Sequence, residues 1–124
     1  MAEITLRNYL DCYAYGKRVY NHELDMGTAA IQISKTGMGI GSARAYLYCV
    51  CAMLDGVQYK STVKENATSY FLTSILADYG MDGLRKALNS VRLHLEYQRR
   101  YQNLNSIRKL YQDFWGCLPE TPVE

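Results

Sequence analysis

The sequence predicts an all-α fold: a compact bundle of five to six helices with a helix-turn-helix-like corner. Three observations carry this. Both prolines of the 124-residue chain lie in the tail CLPETPVE, so long stretches are free of the residue that breaks helices. The glycines gather in a few clusters that act as stops between those stretches. Within each stretch apolar residues recur at spacings of three and four, and no alternating strand pattern appears apart from a short extended piece around Val57 to Lys60. The length suits one domain with a real core, a helical body over 1–116 followed by an irregular tail over 117–124.

The first helix is expected from Ile4 to Glu23, with Leu6, Leu10, Tyr13, Tyr20 and Leu24 as its apolar stripe. Gly16 interrupts it at some cost in propensity and offers another helix a close approach. Asp25 to Gly27 ends it, and Thr28 caps a short second helix, AAIQISKT, that stops at Gly37. Ser42 caps a third helix, ARAYLYCVCAML, which buries Ala43, Tyr46, Leu47, Val50 and Leu54 and ends at Asp55-Gly56. Thr62 to Glu65 has the capping-box spacing and opens a fourth helix to about Tyr79, with Ala67, Tyr70, Phe71, Ser74 and Ile75 facing in. Gly80 closes that helix, and Asp82 caps a fifth carrying Leu84, Leu88, Val91 and Leu95. Its continuation carries a displaced stripe, Tyr97, Tyr101, Leu104, Ile107, Tyr111 and Phe114, broken at Asn103 to Ser106, where Asn105 caps a last helix.

No run approaches the ~20 apolar residues of a membrane span, and MAEITLRNYL lacks an apolar signal core, so a cytoplasmic location is expected. The four cysteines, Cys12, Cys49, Cys51 and Cys117, are then expected to be buried free thiols. Cys49 and Cys51 are two apart on a helix and point to different faces, and His22 and His94 lie near no cysteine pair, so neither a metal site nor a cofactor is expected. His94 lacks neighbours that would make it catalytic, and the scattered acids form no acid–base pair, so no enzyme is read here.

The net charge is only +2 but unevenly spread. Arg85 to Lys109 holds seven bases against the single acid Glu96, Lys35 to Lys64 holds four bases against Asp55, and Glu65 to Leu84 holds three acids and no base. Such segregation can build a one-sided positive face, which matters for phosphate more than total charge does. Within TAAIQISKTGMGIGSARAYLYCV, Gly37 sits at the reversal and Met38 plugs the turn, while Ala30, Ile33, Ala43, Tyr46 and Leu47 pack inward. That leaves Ser42 and Arg44 near the start of the third helix, where backbone donors already favour an anion. An ordinary helical corner accounts for the same glycines. A phosphate-binding glycine loop does not, because Arg44 stands where the last glycine of G-x-G-x-x-G belongs.

Further along, LEYQRRYQNLNSIRKLYQ interleaves Arg99, Arg100, Arg108 and Lys109 with tyrosines, a pattern shared by phosphate-binding faces and plain solvated helices. Twelve tyrosines against two phenylalanines is the sharper bias, because tyrosine buries its ring while its hydroxyl seeks a partner or water. Tyr97, Tyr101, Tyr111, Phe114 and Trp115 are the residues expected at a protein interface, a homodimer among the possibilities.

The segments GSARAYL, MLDGVQYKST, the YFL and DYG of the next helix, and LRKAL with HLEY resemble, over Ile31 to Tyr97, a helical accessory domain found beside HNH modules in bacterial restriction-type endonucleases. The resemblance implies a domain that helps a nuclease grip DNA or holds its subunits together, with Ser42, Arg44, Tyr59 and Lys60 as the polar positions carried over. No HNH module is present, since His22 and His94 lack the required neighbours, so cleavage is not implied. Two readings result. One is a module binding nucleic acid, DNA foremost, through Lys35, Ser42, Arg44, Tyr59, Lys60, Arg99 and Arg100; the other is a protein-interaction module or small regulator docking through the tyrosine-rich surface.

Overall fold

The computed structural model describes residues 4–99 and 104–118, and these are helical throughout apart from turns and one loop. The elements are α1 (Leu6–Tyr20), α2 (Met26–Ser34), α3 (Ile40–Asp55), α4 (Glu65–Gln98) and α5 (Asn105–Trp115). Among the described residues there is no strand, and Val57 to Lys60 belongs to no regular element.

Every expected cap is displaced. α1 starts at a capping box in which the Thr5 amide donates to Asn8 Oδ1 at 2.9 Å and the Asn8 amide donates back to the Thr5 hydroxyl. Asp25, not Thr28, caps α2, taking the Thr28 amide at 2.9 Å and its hydroxyl at 2.7 Å. These donors hold the Asp25 carboxyl below its usual pKa. α3 begins two residues before Ser42, on Gly39, and carries no side-chain cap. The capping box at Thr62 does not form: Lys64 is the cap residue, and the Thr62 hydroxyl is drawn to His94 instead. Asn105 is the first residue of α5, not its cap, and Asp82 lies inside α4, where its carboxylate takes Arg85.

α1, α2 and α3 touch one another, α4 packs on α1 and α3, and α5 touches α4 alone. Buried residues from all five helices form one cluster around Phe71, Leu47, Met53, Leu72 and Leu88. The apolar stripe expected for α1 is wrong at its start. Leu6 and Leu10 are exposed, whereas Asn8, Tyr9, Cys12, Tyr13 and Gly16 face inward. Asn8 turns inward because its amide donates to the Thr36 hydroxyl at 3.3 Å, which joins the start of α1 to the end of α2. The third-helix set, Ala43, Tyr46, Leu47, Val50 and Leu54, is buried as its spacing indicates.

Gly80 interrupts the helical dihedrals of α4 with φ 74° and ψ −164°. In an unbroken helix residues 65 and 94 would stand about 44 Å apart. Yet Thr62, three residues before α4, contacts His94 at 2.9 Å, so the chain folds back at Gly80 and the two arms of α4 run side by side. A side chain at Gly83 would collide with Tyr79, which marks how tight the reversal is. The break expected at Gly80 is therefore real.

Gly16 lets α1 approach α3 closely. A Cβ there would lie 2.5 Å from Val50 Cγ1 and 2.8 Å from its Cβ, and Val50 is fully buried. Gly16→Ala is expected to lower stability by about 1–3 kcal/mol through overpacking, despite the better helix propensity of alanine. Denaturant unfolding of Gly16→Ala, Val50→Ala and the double variant checks this. The double variant should lose clearly less than the sum of the singles.

Candidate nucleic-acid interface

Helix directions decide which cations share a surface. α1 begins beside the end of α2, through Asn8 and Thr36, and its far end reaches Asp78 and Asp55. There Tyr13 donates to Asp78 Oδ2 at 2.8 Å, Lys17 Nζ lies 3.0 Å from the same oxygen, and Tyr20 donates to Asp55 Oδ1 at 3.2 Å. The Asp78 pKa is lowered first by the Tyr13 hydrogen bond and then by Lys17. α3 starts beside α4's first residues, since the Lys64 amide donates to the Tyr46 hydroxyl at 3.2 Å, and it ends against Lys86 at Gly56.

The chain from Gly56 to Lys60 then runs along the second arm of α4, held rung by rung. Asn89 donates to the Gly56 carbonyl, Ser90 to that of Val57, His94 to that of Tyr59 at 2.6 Å, and Gln98 to that of Lys60 at 2.6 Å. One end of the bundle thus gathers the end of α2, the start of α3, residues 60–65 and the last turns of α4. Lys35, Arg44, Lys60 and Lys64 sit there, exposed and without a carboxylate partner among the described residues. Asp25, Asp55, Asp78 and Asp82 belong to the opposite end, at the start of α2, the end of α3 and the α4 reversal, while Glu65 lies at the cationic end beside Lys64.

The start of α3 stands in that cationic end. The first intrahelical bond runs from the Ala43 amide to the Gly39 carbonyl, so the amides of Ile40, Gly41 and Ser42 precede the ladder. Ser42 and Arg44 are exposed, and Tyr48, one turn beyond Arg44, is 59% exposed. Gly37 takes φ 103° at the turn, and Met38 is buried behind it, with the Cys12 thiol 3.7 Å from its sulfur.

Tyr59 does not belong to this surface. It is buried, its ring lies 4.1 Å from that of His94 at an interplanar angle of 9°, and its hydroxyl has no hydrogen-bond partner among the described residues. Desolvation raises its pKa well above the usual range. The sequence could not reveal this, because Tyr59 lies in an irregular loop with no periodicity to assign a face. Lys60, its neighbour, points outward over the Tyr97 ring at 5.9 Å. Arg99 lies apart from α3, in a cleft between α4 and α5. Arg100 and Tyr101 lie outside the described residues.

Of the expected interface residues, Tyr97 and Trp115 are exposed, while Tyr111 and Phe114 are half-buried against the core. Tyr111 and Trp115 stack at 6.1 Å and 20°. The cysteines divide. Cys12 and Cys49 are buried, Cys51 is half-buried and Cys117 is exposed, so burial does not hold for all four. Burial, with Asp11 as a lesser cause, pushes the Cys12 thiol up to about 12, and burial raises Cys49 too, which leaves both protonated and unreactive.

A groove of about 460 Å³ runs beside the outer stripe of α3, between Tyr20, Tyr48 and Cys51 on one side and Val57 to Ser61 on the other. Among the described residues no group of three His, Cys, Asp or Glu side chains could hold a metal ion, and no helix is long and apolar enough to cross a membrane. No family model, curated protein or solved structure matches the chain.

His94 has no catalytic neighbours in the sequence; its structural role is specific. The ring is fully buried, its Nδ1 proton goes to the Tyr59 carbonyl, and Nε2 accepts from the Thr62 hydroxyl, which defines the neutral tautomer. Desolvation lowers its pKa, and the Tyr59 hydrogen bond opposes this in part. The unfolded chain therefore binds a proton more readily than the folded one. The stability held by neutral His94 is full above the unfolded pKa near 6.5 and is lost as pH falls below it. Urea titrations from pH 7.5 down to 5 should show stability falling by at most about 1.4 kcal/mol per pH unit from this one group. His94→Gln should lower stability at pH 7.5 and flatten that dependence. Tyr59→Phe, which removes a buried hydroxyl lacking a partner, is expected to leave the melting temperature unchanged or raise it.

Proposed function

We propose that this chain is a non-catalytic helical module that binds nucleic acid, DNA foremost, through the exposed start of α3 and the cationic end of the bundle around it. The observation that carries the reading is the gathering of Lys35, Arg44, Lys60 and Lys64, distant along the chain and in no ion pair among the described residues, against Glu65 at the end where the first amides of α3 precede its hydrogen-bond ladder. Mutual packing of α1, α2 and α3 suits a helix-turn-helix-like corner in which α2, the turn at Gly37 and α3 form the reading unit, with Ser42, Arg44 and Tyr48 turned outward. Such a module would act in the cytoplasm as an accessory to a nuclease or defence complex, in keeping with the resemblance to HNH-associated domains.

Fluorescence anisotropy with duplex and single-stranded DNA tests this. Affinity should fall steeply with salt. Arg44→Ala is expected to weaken binding about three- to tenfold and to reduce the salt slope by about one, with the melting temperature unchanged. Absence of binding to either form at low salt would overturn the reading.

The stacked pair Tyr111 and Trp115 favours a second reading. Trp115 is 53% exposed on a helix that touches only α4, which suits a protein partner or a second copy of the chain. Sedimentation at high concentration tests self-association, and a strict monomer there removes it.

A further inference from the structure

Free cations are not confined to the start of α3. Between the second arm of α4 and α5 lies a cleft of about 270 Å³ whose polar lining is Arg92, Glu96 and Arg99 from α4 with Arg108, Tyr111 and Gln112 from α5. Arg92 is already committed, to Glu96 Oε1 at 2.9 Å and to Asn89 Oδ1 at 2.7 Å. Arg99 and Arg108 are not. They come from different helices, line the same cleft, and neither has a carboxylate partner among the described residues. By contrast, Lys109, next along α5, is paired with Asp113 at 3.4 Å.

We propose that this cleft binds a terminal phosphate, the monoester at the end of a nucleic-acid strand; that the phosphate is carried on nucleic acid rests on the function proposed above. Charge selects the ligand. Three arginines against one glutamate leave the cleft with two positive charges, and a phosphate monoester carries about −1.5 to −2 near neutral pH. An internal phosphodiester or a carboxylate brings only one negative charge and would leave a guanidinium uncompensated. Geometry agrees with charge. Arg99 and Arg108 border one cleft from separate helices, and two planar guanidinium forks suit the several oxygens of a tetrahedral group; Tyr111 and Gln112 border the same cleft.

The test uses the whole chain and one oligonucleotide sequence carrying either a 5′-phosphate or a 5′-hydroxyl, compared by fluorescence anisotropy at fixed ionic strength. The phosphorylated strand is expected to bind about tenfold tighter or more. Arg108→Gln should abolish that preference while leaving affinity for the hydroxyl strand unchanged, and Lys109→Gln should retain it. Equal affinity of the two strands, or a preference that survives Arg108→Gln, overturns the site while the nucleic-acid reading stands. Should neither strand bind, that reading fails, and inorganic phosphate followed by protein NMR decides the site alone. Shifts confined to the α4–α5 amides and lost in Arg108→Gln then identify a free phosphate as the ligand; no shifts overturn the site.

Discussion

The neutral imidazole of His94 is the contact on which the rest of the architecture leans. By donating to the Tyr59 carbonyl and accepting from the Thr62 hydroxyl, it pins the irregular chain that leaves α3 against the second arm of α4. Two consequences follow from this single buried ring. The start of α4 is brought beside its own end, which the reversal at Gly80 makes possible. Lys60, Lys64 and the last turn of α4 are also delivered to the end of the bundle where α3 begins. A buried imidazole with both nitrogens bonded specifies one arrangement, because any shift of the loop leaves a polar atom unsatisfied.

Much of this was legible in the sequence, for reasons that can be named. Helices with strong periodicity and clear stops, such as α3 with its Ala43, Tyr46, Leu47, Val50 and Leu54 face, were fixed by apolar spacing and by Gly56. The close approach at Gly16 and the plug at Met38 were readable from residue size alone. Caps were not. Thr28, Ser42, Thr62, Asp82 and Asn105 all have the right chemistry, and each lost to a neighbour or to a tertiary partner. Thr62 is the instructive one, because its hydroxyl satisfies a residue 32 positions away rather than the helix it precedes.

The site shows the same division. Ser42 and Arg44 were assignable to the surface because they lie on a periodic helix whose other faces are apolar. Tyr59 and Lys60 are adjacent in a segment without period, and only packing sends the first into the core and the second into solvent. The α4–α5 cleft was hidden for a different reason. Arg92, Arg99 and Arg108 read as one basic run, and nothing in the sequence says that Glu96 occupies the first and leaves the other two free. Ion pairing, not composition, determines where positive charge is available to a ligand.

α5 is attached through a single seam, since it touches no helix but α4. Stability in such an arrangement is not shared evenly. The first four helices pack on one another, whereas α5 packs on α4 alone, so local opening of α5 is expected at a lower free energy than global unfolding. Its amides would then exchange with solvent by way of that local opening. A ligand in the seam between Arg99 and Arg108, as proposed above, would hold the unit closed, and its occupancy would then register as order in the last helix rather than as movement of the body.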